Sequence, residues 1–405
     1  MPMLPAPDAH LQYLLAPADG QLCTRPLTPY HTAALEFLQQ VSSLLMTDAE
    51  AKTFPDVIAF AYWCRKAHLA RLQQDYQESH ARLGLGMVYH IAPANVPVNF
   101  AFSLVFAMLA GNASVVRAPS KPFAQVQIIC RALRTVASRP EHADIAAMLA
   151  VVQYAQNDAI TAAFSALCQA RIIWGGNAAI SAIRQLPIPP RSVEVAFADR
   201  YSFCAIDAAS ILAASEARLQ ALGAGFYNDV FLMDQNACSS PHLVVWLGQP
   251  EARAAAKQRF WQAVYASTAA QLELQQVHAV DKYTLLCQNA IELDNISGFE
   301  HEGNAVYRVA LSSLPDSMDQ LRGKYGMVYE YETDDLHQVA HIVNNKYQTL
   351  THFGLSREQA TGFVLDNRLA GIDRIVPIGT ALDIGIIWDG YDMVRTLSRI
   401  VDFKS

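Results

Sequence analysis

Charge is scarce in this chain: only 17% of its 405 residues are Asp, Glu, Lys or Arg, and 30 basic against 37 acidic residues leave a net charge of −7. No basic field of the kind that attracts a phosphate backbone results, so nucleic acid is not an expected partner. A disulfide framework is missing as well. The seven cysteines (Cys23, Cys64, Cys130, Cys168, Cys204, Cys238 and Cys287) are odd in number and irregularly spaced, with no C-x-x-C, which suits reduced thiols. Long apolar runs are absent: the densest, residues 96–110, is too short to cross a bilayer and contains Pro97 and Asn99. The N-terminal residues 1–8 lack the basic and apolar regions of a signal peptide, so a cytoplasmic protein is expected. Several chemical signatures are also missing. There is no G-x-x-x-x-G-K-[ST] phosphate loop, and the two G-x-G pairs have Tyr89 and Asn228 where a dinucleotide fingerprint needs a third glycine. Neither H-E-x-x-H nor G-x-S-x-G occurs, and the His/carboxylate cluster Glu300-His301-Glu302 beside Gly303 reads as a solvated turn, so no metal is expected.

What is present is a large apolar fraction, 52%, in a chain long enough for two or more folding units. Strand-like and helix-like segments alternate, the pattern of an α/β protein with parallel sheets. Residues 31–75 read as helical; then follow strands at 87–91, 114–117, 148–154, 171–174, 192–195 and 203–206, with helices at 98–109, 123–136, 160–167, 178–185 and 208–221. After a plausible hinge at Gly223-Ala224-Gly225-Phe226-Tyr227-Asn228-Asp229 the rhythm resumes, with strands at 243–246, 305–310, 327–331, 350–353 and 373–377 and helices at 251–268 and 336–344. The expected division is 1–222 and 223–385, with 386–405 unplaced. No internal repeat or low-complexity tract argues for a solenoid or a tail.

Cys238 is the strongest local candidate for chemistry. It follows the polar, turn-prone run Asp234-Gln235-Asn236-Ala237 and precedes Ser239-Ser240-Pro241, at a loop-to-strand junction. Such junctions supply the exposure and backbone N–H groups that make a thiolate. A buried structural cysteine is the alternative, as it is for Cys130, Cys168 and Cys204 inside apolar runs. The second candidate is Asn95, in His90-Ile91-Ala92-Pro93-Ala94-Asn95-Val96-Pro97, where a strand ends in a proline-bracketed turn. An amide at the carboxyl edge of a sheet can donate to a developing oxyanion, and a turn-capping asparagine is the competing reading.

These two segments, with Gly111-Asn112-Ala113-Ser114-Val115-Val116-Arg117-Ala118-Pro119-Ser120 and Trp174-Gly175-Gly176 between them, resemble the LuxC-type acyl-CoA reductases, a branch of the aldehyde dehydrogenase superfamily. The likeness runs from about residue 84 to the C-terminus. It implies two doubly wound α/β domains with the active site in the cleft between them, an NADP-binding domain before the break and a catalytic domain after it. It further implies that Cys238 is the nucleophile, that the Asn95 amide and the Cys238 N–H form an oxyanion hole, that Arg117 contacts the adenosine ribose, and that Gly175 and Gly176 let a helix N-terminus approach a pyrophosphate. Ser120 and Lys121 stand where NAD-preferring relatives carry a glutamate, and a hydroxyl and a cation there suit the 2′-phosphate of NADPH.

Lys324-Tyr325-Gly326-Met327 replaces the superfamily's Glu-Ile-Phe-Gly-Pro motif, and Glu194 falls near the position of the hydrolytic base, either as a base or merely as a strand residue. Arg374-Ile375-Val376-Pro377-Ile378-Gly379 and Trp388-Asp389-Gly390 share the likeness without an evident chemical role. The activity so implied is NADPH-dependent reduction of an acyl-CoA or acyl-protein thioester to an aldehyde, with an acyl-protein synthetase as a partner and a homo-oligomeric state. Oxidation of aldehydes with NAD(P) is the alternative, and a non-catalytic subunit of an acyl-transfer complex a third reading.

Overall fold

The computed structural model describes residues 1–404, and the chain divides into two compact units, Met1–Ala198 with Ile386–Ser405 and Asp199–Gly385. In the first unit the strands are β1 (Gln12–Leu15), β2 (Ala81–Gly84), β3 (Met87–Ile91), β4 (Ala113–Arg117), β5 (Leu149–Gln153), β6 (Ala170–Trp174) and β7 (Val193–Phe197). Six of them form one sheet in the order β1-β5-β4-β3-β6-β7, antiparallel only at the β1 edge. All residues of β3 and β6 are buried, His90 and Arg171 among them, as the central strands of a parallel sheet covered on both faces should be. From β3 the chain moves outward through β4 to β5, then returns to lay β6 and β7 on the other side of β3. The order therefore reverses between β3 and β6, and a doubly wound sheet leaves its binding crevice at the carboxyl ends of two such strands. The helix Asn99–Leu109 that follows β3 is buried from Phe100 to Leu109, so it is internal rather than amphipathic.

The second unit holds β8 (Tyr201–Asp207), β9 (Pro241–Leu247), β10 (Ile296–Glu302), β11 (Val306–Leu311), β12 (Met327–Thr333), β13 (Tyr347–Phe353) and β14 (Arg374–Pro377). Their order is β10-β11-β12-β9-β8-β13-β14, parallel except for the β10 edge. The chain then returns to the first unit as β15 (Ile387–Trp388), β16 (Tyr391–Asp392) and β17 (Ser398–Val401). Asp389 and Gly390, both at positive φ (47° and 77°), turn the β15–β16 hairpin, and Trp388 packs edge-on against Trp174 with ring centroids 5.2 Å apart. β17 pairs with β2, and the expected unplaced segment 386–405 thus belongs to the first unit. No helix among the described residues is long and apolar enough to cross a membrane.

Several expectations are corrected. The boundary lies at 198/199, not at 222/223, because β8 pairs with β9 and β13 rather than with β7. Residues 223–229 are no hinge: they lie inside the helix Glu216–Phe231. The two glycines have a packing role instead. A Cβ on Gly379, whose φ is +97°, would sit 2.9 Å from the Gly225 Cα, and one on Gly223 would sit 2.4 Å from the Ala263 carbonyl oxygen. The helical stretch at 31–75 is three helices, Thr32–Thr47, Pro55–Trp63 and Lys66–Asp75, restarted by Pro55 at a first-turn position where its missing N–H costs nothing. The expected helix at 208–221 breaks before Ser215, which caps the next helix by accepting from the Arg218 N–H, and 336–344 forms the 3₁₀ helix Leu336–Ile342. Glu300, His301 and Glu302 lie on the exposed edge strand β10 rather than in a turn, with Glu300 paired to Arg308.

Candidate active site

Cys238 sits in the turn between the helix Glu216–Phe231 and β9, with its side chain exposed. The turn is built by Asp234 and Gln235, both in the left-handed region (φ 50° and 61°). Gln235 is buried and staples the turn to two strands: its amide nitrogen donates to the carbonyls of Pro241 and Met327, both at 3.0 Å, and its oxygen accepts from the Gly326 N–H at 3.1 Å. The carbonyl of Cys238 accepts from the Ser202 hydroxyl at 2.7 Å, and that hydroxyl accepts from the Thr349 N–H at 3.1 Å. The Cys238 sulfur accepts from the side-chain N–H of Gln348 at 3.6 Å. Ser202, Pro241, Met327, Gln348 and Arg374 all lie at the amino ends of β8, β9, β12, β13 and β14, so the parallel sheet gathers them along one edge. Burial pushes the pKa of Cys130, Cys168 and Cys204 up to about 12, which makes them the inert packing residues expected.

The Arg374 guanidinium is held by the carbonyls of Ala381 and Thr380, at 2.7 and 2.9 Å. That loop is fixed in turn by Asp229, whose carboxylate accepts from the N–H groups of Gly379 and Ala381 at 2.7 and 2.9 Å. Burial pushes the Asp229 pKa up to about 6 against the pull of those two amides. Burial likewise lowers the Arg374 pKa, and the negative charges of Asp383, Asp229 and an ionised Cys238 oppose that shift.

In the first unit, Asn95 lies exposed in the turn between β3 and the helix Asn99–Leu109, at the carboxyl end of β3. His90 just before it is buried and bonded to the Ser103 hydroxyl at 2.7 Å, which also accepts from the Trp174 indole at 3.0 Å. Burial drives the His90 pKa down to about 3, so the ring is a neutral tie between β3, the helix and β6. Across the sheet's reversal point, Gly175 and Gly176 join β6 to the helix Asn177–Arg184. Gly176 is the N-cap residue, and no side chain caps that helix. Its φ of −70° is open to any residue and a Cβ there would meet nothing within 4 Å, so the protein's own packing does not require glycine. Space and uncapped N–H groups at a helix N-terminus fit the pyrophosphate of a dinucleotide. Arg117, at the end of β4, donates to the Tyr154 carbonyl at 3.3 Å and lies over the Tyr154 ring at 4.4 Å, while Ser120 and Lys121 are exposed just beyond it. The cation, the hydroxyl and the glycine turn thus share the carboxyl side of one sheet, the side on which doubly wound sheets bind their ligands.

Glu194 is a different case. It lies on β7, and its carboxylate bonds Arg171 at 2.5 Å and Arg184 at 2.7 Å. Burial alone would raise its pKa, but the hydrogen bonds and charges of Arg184 and Arg171 outweigh it and hold the carboxyl below its ordinary value. A carboxylate so held is a poor proton acceptor, and the strand-residue reading is the one its surroundings support. Glu194→Gln is expected to leave turnover within about twofold, where loss of a general base would cost about 10²-fold or more. The same change should lower stability by about 2–3 kcal/mol, because it strands the buried Arg171 charge. Turnover and thermal unfolding measured side by side check this, and a large loss of turnover at unchanged stability would restore the base. With its pKa depressed on folding, Glu194 stabilises the fold above the ordinary carboxylate value and ceases to do so as the pH falls through the folded pKa.

Gln348, Ser202 and Thr349 escape sequence reading because each belongs to an ordinary strand. Arg374 stands in a recognisable segment, but its use depends on a loop fold. Among the described residues no group of three or more His, Cys, Asp or Glu side chains is placed to hold a metal ion. A family profile described as "Acyl-CoA reductase (LuxC)" matches residues 23–402. The long-chain acyl-protein thioester reductase of Photorhabdus luminescens is 26% identical over 330 residues, covering 79% of this chain and 63% of that protein. The chain therefore spans less than two thirds of that relative's length. Among solved structures, a benzaldehyde dehydrogenase from Corynebacterium glutamicum superposes with a TM-score of 0.60 at 14% identity, over 96% of this chain and 94% of that one. A glyceraldehyde-3-phosphate dehydrogenase from Methanocaldococcus jannaschii, solved with NADP, gives 0.62 at 10% identity, over 91% and 88%. At these identities the likeness establishes the aldehyde dehydrogenase fold.

Proposed function

The chain belongs to the acyl-CoA reductase (LuxC) family, and from that premise we propose that it is an NAD(P)-dependent oxidoreductase acting on an acyl or aldehyde group through Cys238, in the direction of thioester reduction with NADPH. The single observation that carries this reading is the Cys238 turn: an exposed thiol with an amide donor on its sulfur, in a chain whose core cysteines are buried. The name of the Photorhabdus relative supports an acyl-protein thioester as substrate, and the family's description an acyl-CoA. An acyl-protein synthetase partner and a homo-oligomeric state belong to the same proposal.

The Cys238 thiolate attacks the thioester carbonyl carbon, a new C–S bond forms, and the donor's thiolate leaves and takes up a proton. The reading assigns the oxyanion to the Asn95 side-chain amide and the Cys238 backbone N–H. Arg117, Ser120, Lys121 and the Gly175-Gly176 turn would hold NADPH, which supplies a hydride for the acyl carbon. Collapse of the resulting thiohemiacetal breaks the Cys238 C–S bond, frees the aldehyde and returns the thiolate. The balance is acyl thioester + NADPH + H⁺ → aldehyde + thiol + NADP⁺.

The second reading is oxidation of an aldehyde to an acid, supported by the aldehyde dehydrogenases that share the fold. It needs a base to activate water, and Glu194 is engaged by two arginines. NADPH oxidation measured across a series of acyl-CoA lengths, with the aldehyde trapped, separates the two. One aldehyde per NADPH is expected. Net carboxylic acid from aldehyde and NADP⁺ without coenzyme A would overturn the reductive direction.

A further inference from the structure

We propose that Cys238 is activated by two fixed groups, the Gln348 amide on its sulfur and the Arg374 guanidinium on the adjoining strand β14, each locked by a separate set of hydrogen bonds. The inference deepens the function proposed above and rests on its assignment of Cys238 as the nucleophile.

The geometry specifies which end of Gln348 faces the sulfur. Its oxygen accepts from the Thr349 hydroxyl at 3.2 Å, which leaves the NH₂ to donate to the Cys238 sulfur at 3.6 Å. Gln348 is buried, 6% exposed, so the donor costs little reorganisation when sulfur becomes charged. Thr349 serves twice, because its N–H also orients the Ser202 hydroxyl that holds the Cys238 carbonyl. Sulfur and backbone of the nucleophile are thus tied to neighbouring residues of β13 and to β8.

Arg374 opens β14 and is the register partner of Thr349. Its guanidinium is clamped by the Thr380 and Ala381 carbonyls, and the Asp229 carboxylate holds that loop through the Gly379 and Ala381 amides. The close approach of Gly379 to Gly225 sets the loop's distance from the helix Glu216–Phe231. Arg374 stands across the β13–β14 register from Thr349, whose neighbour Gln348 donates to the sulfur; a cation fixed there favours the ionised sulfur, and the hydrogen bond from Gln348 favours it further. Loop 378–381 and Asp229 are then positioning groups for Arg374. The family-like segment that begins at Arg374 and the glycines of 223–229 acquire one common purpose.

The test is the pH dependence of Cys238 alkylation by iodoacetamide, read on the Cys238 peptide by mass spectrometry with no nucleotide or acyl donor present. Gln348→Ala and Arg374→Gln are each expected to raise the alkylation midpoint by about one pH unit and to slow alkylation at pH 7 about tenfold. Gln348→Glu, which retains shape but replaces the donor with a like charge, should shift it at least as far. Arg374→Lys, which keeps the charge, should recover most of the wild-type midpoint. Circular dichroism and thermal unfolding identify which variants are folded, and Gln348→Glu and Arg374→Met serve if Gln348→Ala and Arg374→Gln unfold. An unchanged midpoint in the folded variants that remove the Gln348 donor or the Arg374 charge overturns the inference. Because the readout is the thiol alone, a shifted midpoint in variants of a protein that reduces no thioester upholds the inference and sinks the reductive function. Normal thioester reduction with unshifted variants does the reverse.

Discussion

Cys238→Ala is expected to abolish covalent acylation and to lower turnover by about 10⁴-fold or more, the scale seen when a covalent nucleophile is removed. No neighbour can take over its role. Cys204 is fully buried with its thiol pushed up to about 12, and Ser240, two residues on, is 1% exposed. Ser239, next in the chain, is buried as well. The side chain of Cys238 is exposed in a turn whose shape is maintained by Gln235 and by the Cys238 carbonyl, so the substitution should leave stability within about 0.5 kcal/mol. The measurement is intact mass after incubation with a labelled acyl-CoA, alongside NADPH oxidation. Wild type should gain one acyl group and the variant none. A variant that still gains the acyl group shows that the nucleophile lies elsewhere.

Asn95→Ala should lower the rate of reduction by about 10²–10³-fold, the loss typical when one oxyanion donor is removed. The residue is exposed at the carboxyl end of β3, so neither the core nor the sheet should register the change. Dinucleotide affinity should stay at its wild-type value, because the groups proposed to hold the nucleotide follow β4 and β6 instead. That separation gives the experiment its power. A drop in kcat with unchanged nucleotide binding assigns Asn95 to the acyl oxygen, whereas an unchanged rate removes it from the mechanism.

The exposed turn around Cys238 was legible because a polar, turn-prone run ahead of a strand is a local pattern, and local patterns are written in contiguous residues. Gln348 was not. It meets the sulfur from 110 positions away, and nothing in Lys346-Tyr347-Gln348-Thr349 distinguishes its amide from that of any strand glutamine. For Glu194 the sequence left base and strand residue open; β7 sets it beside Arg171 of β6, a pairing that no local pattern announces. The 222/223 boundary failed for a related reason. Gly223 and Gly225 look like hinge residues in isolation, yet each is small so that another segment can pack against the helix.

By itself the sequence determined the α/β alternation, the apolar strands that must be buried on both faces, and the identity of the exposed turn that carries Cys238. These follow from periodicity and turn chemistry, which act over a few residues. Only the tertiary structure decided which sheet each strand joined, that residues 386–405 return to the first unit, and which side chains reach the Cys238 sulfur. Strand pairing and side-chain donation to a distant sulfur are long-range events, determined by the free energy of the whole packed chain rather than by neighbours in sequence.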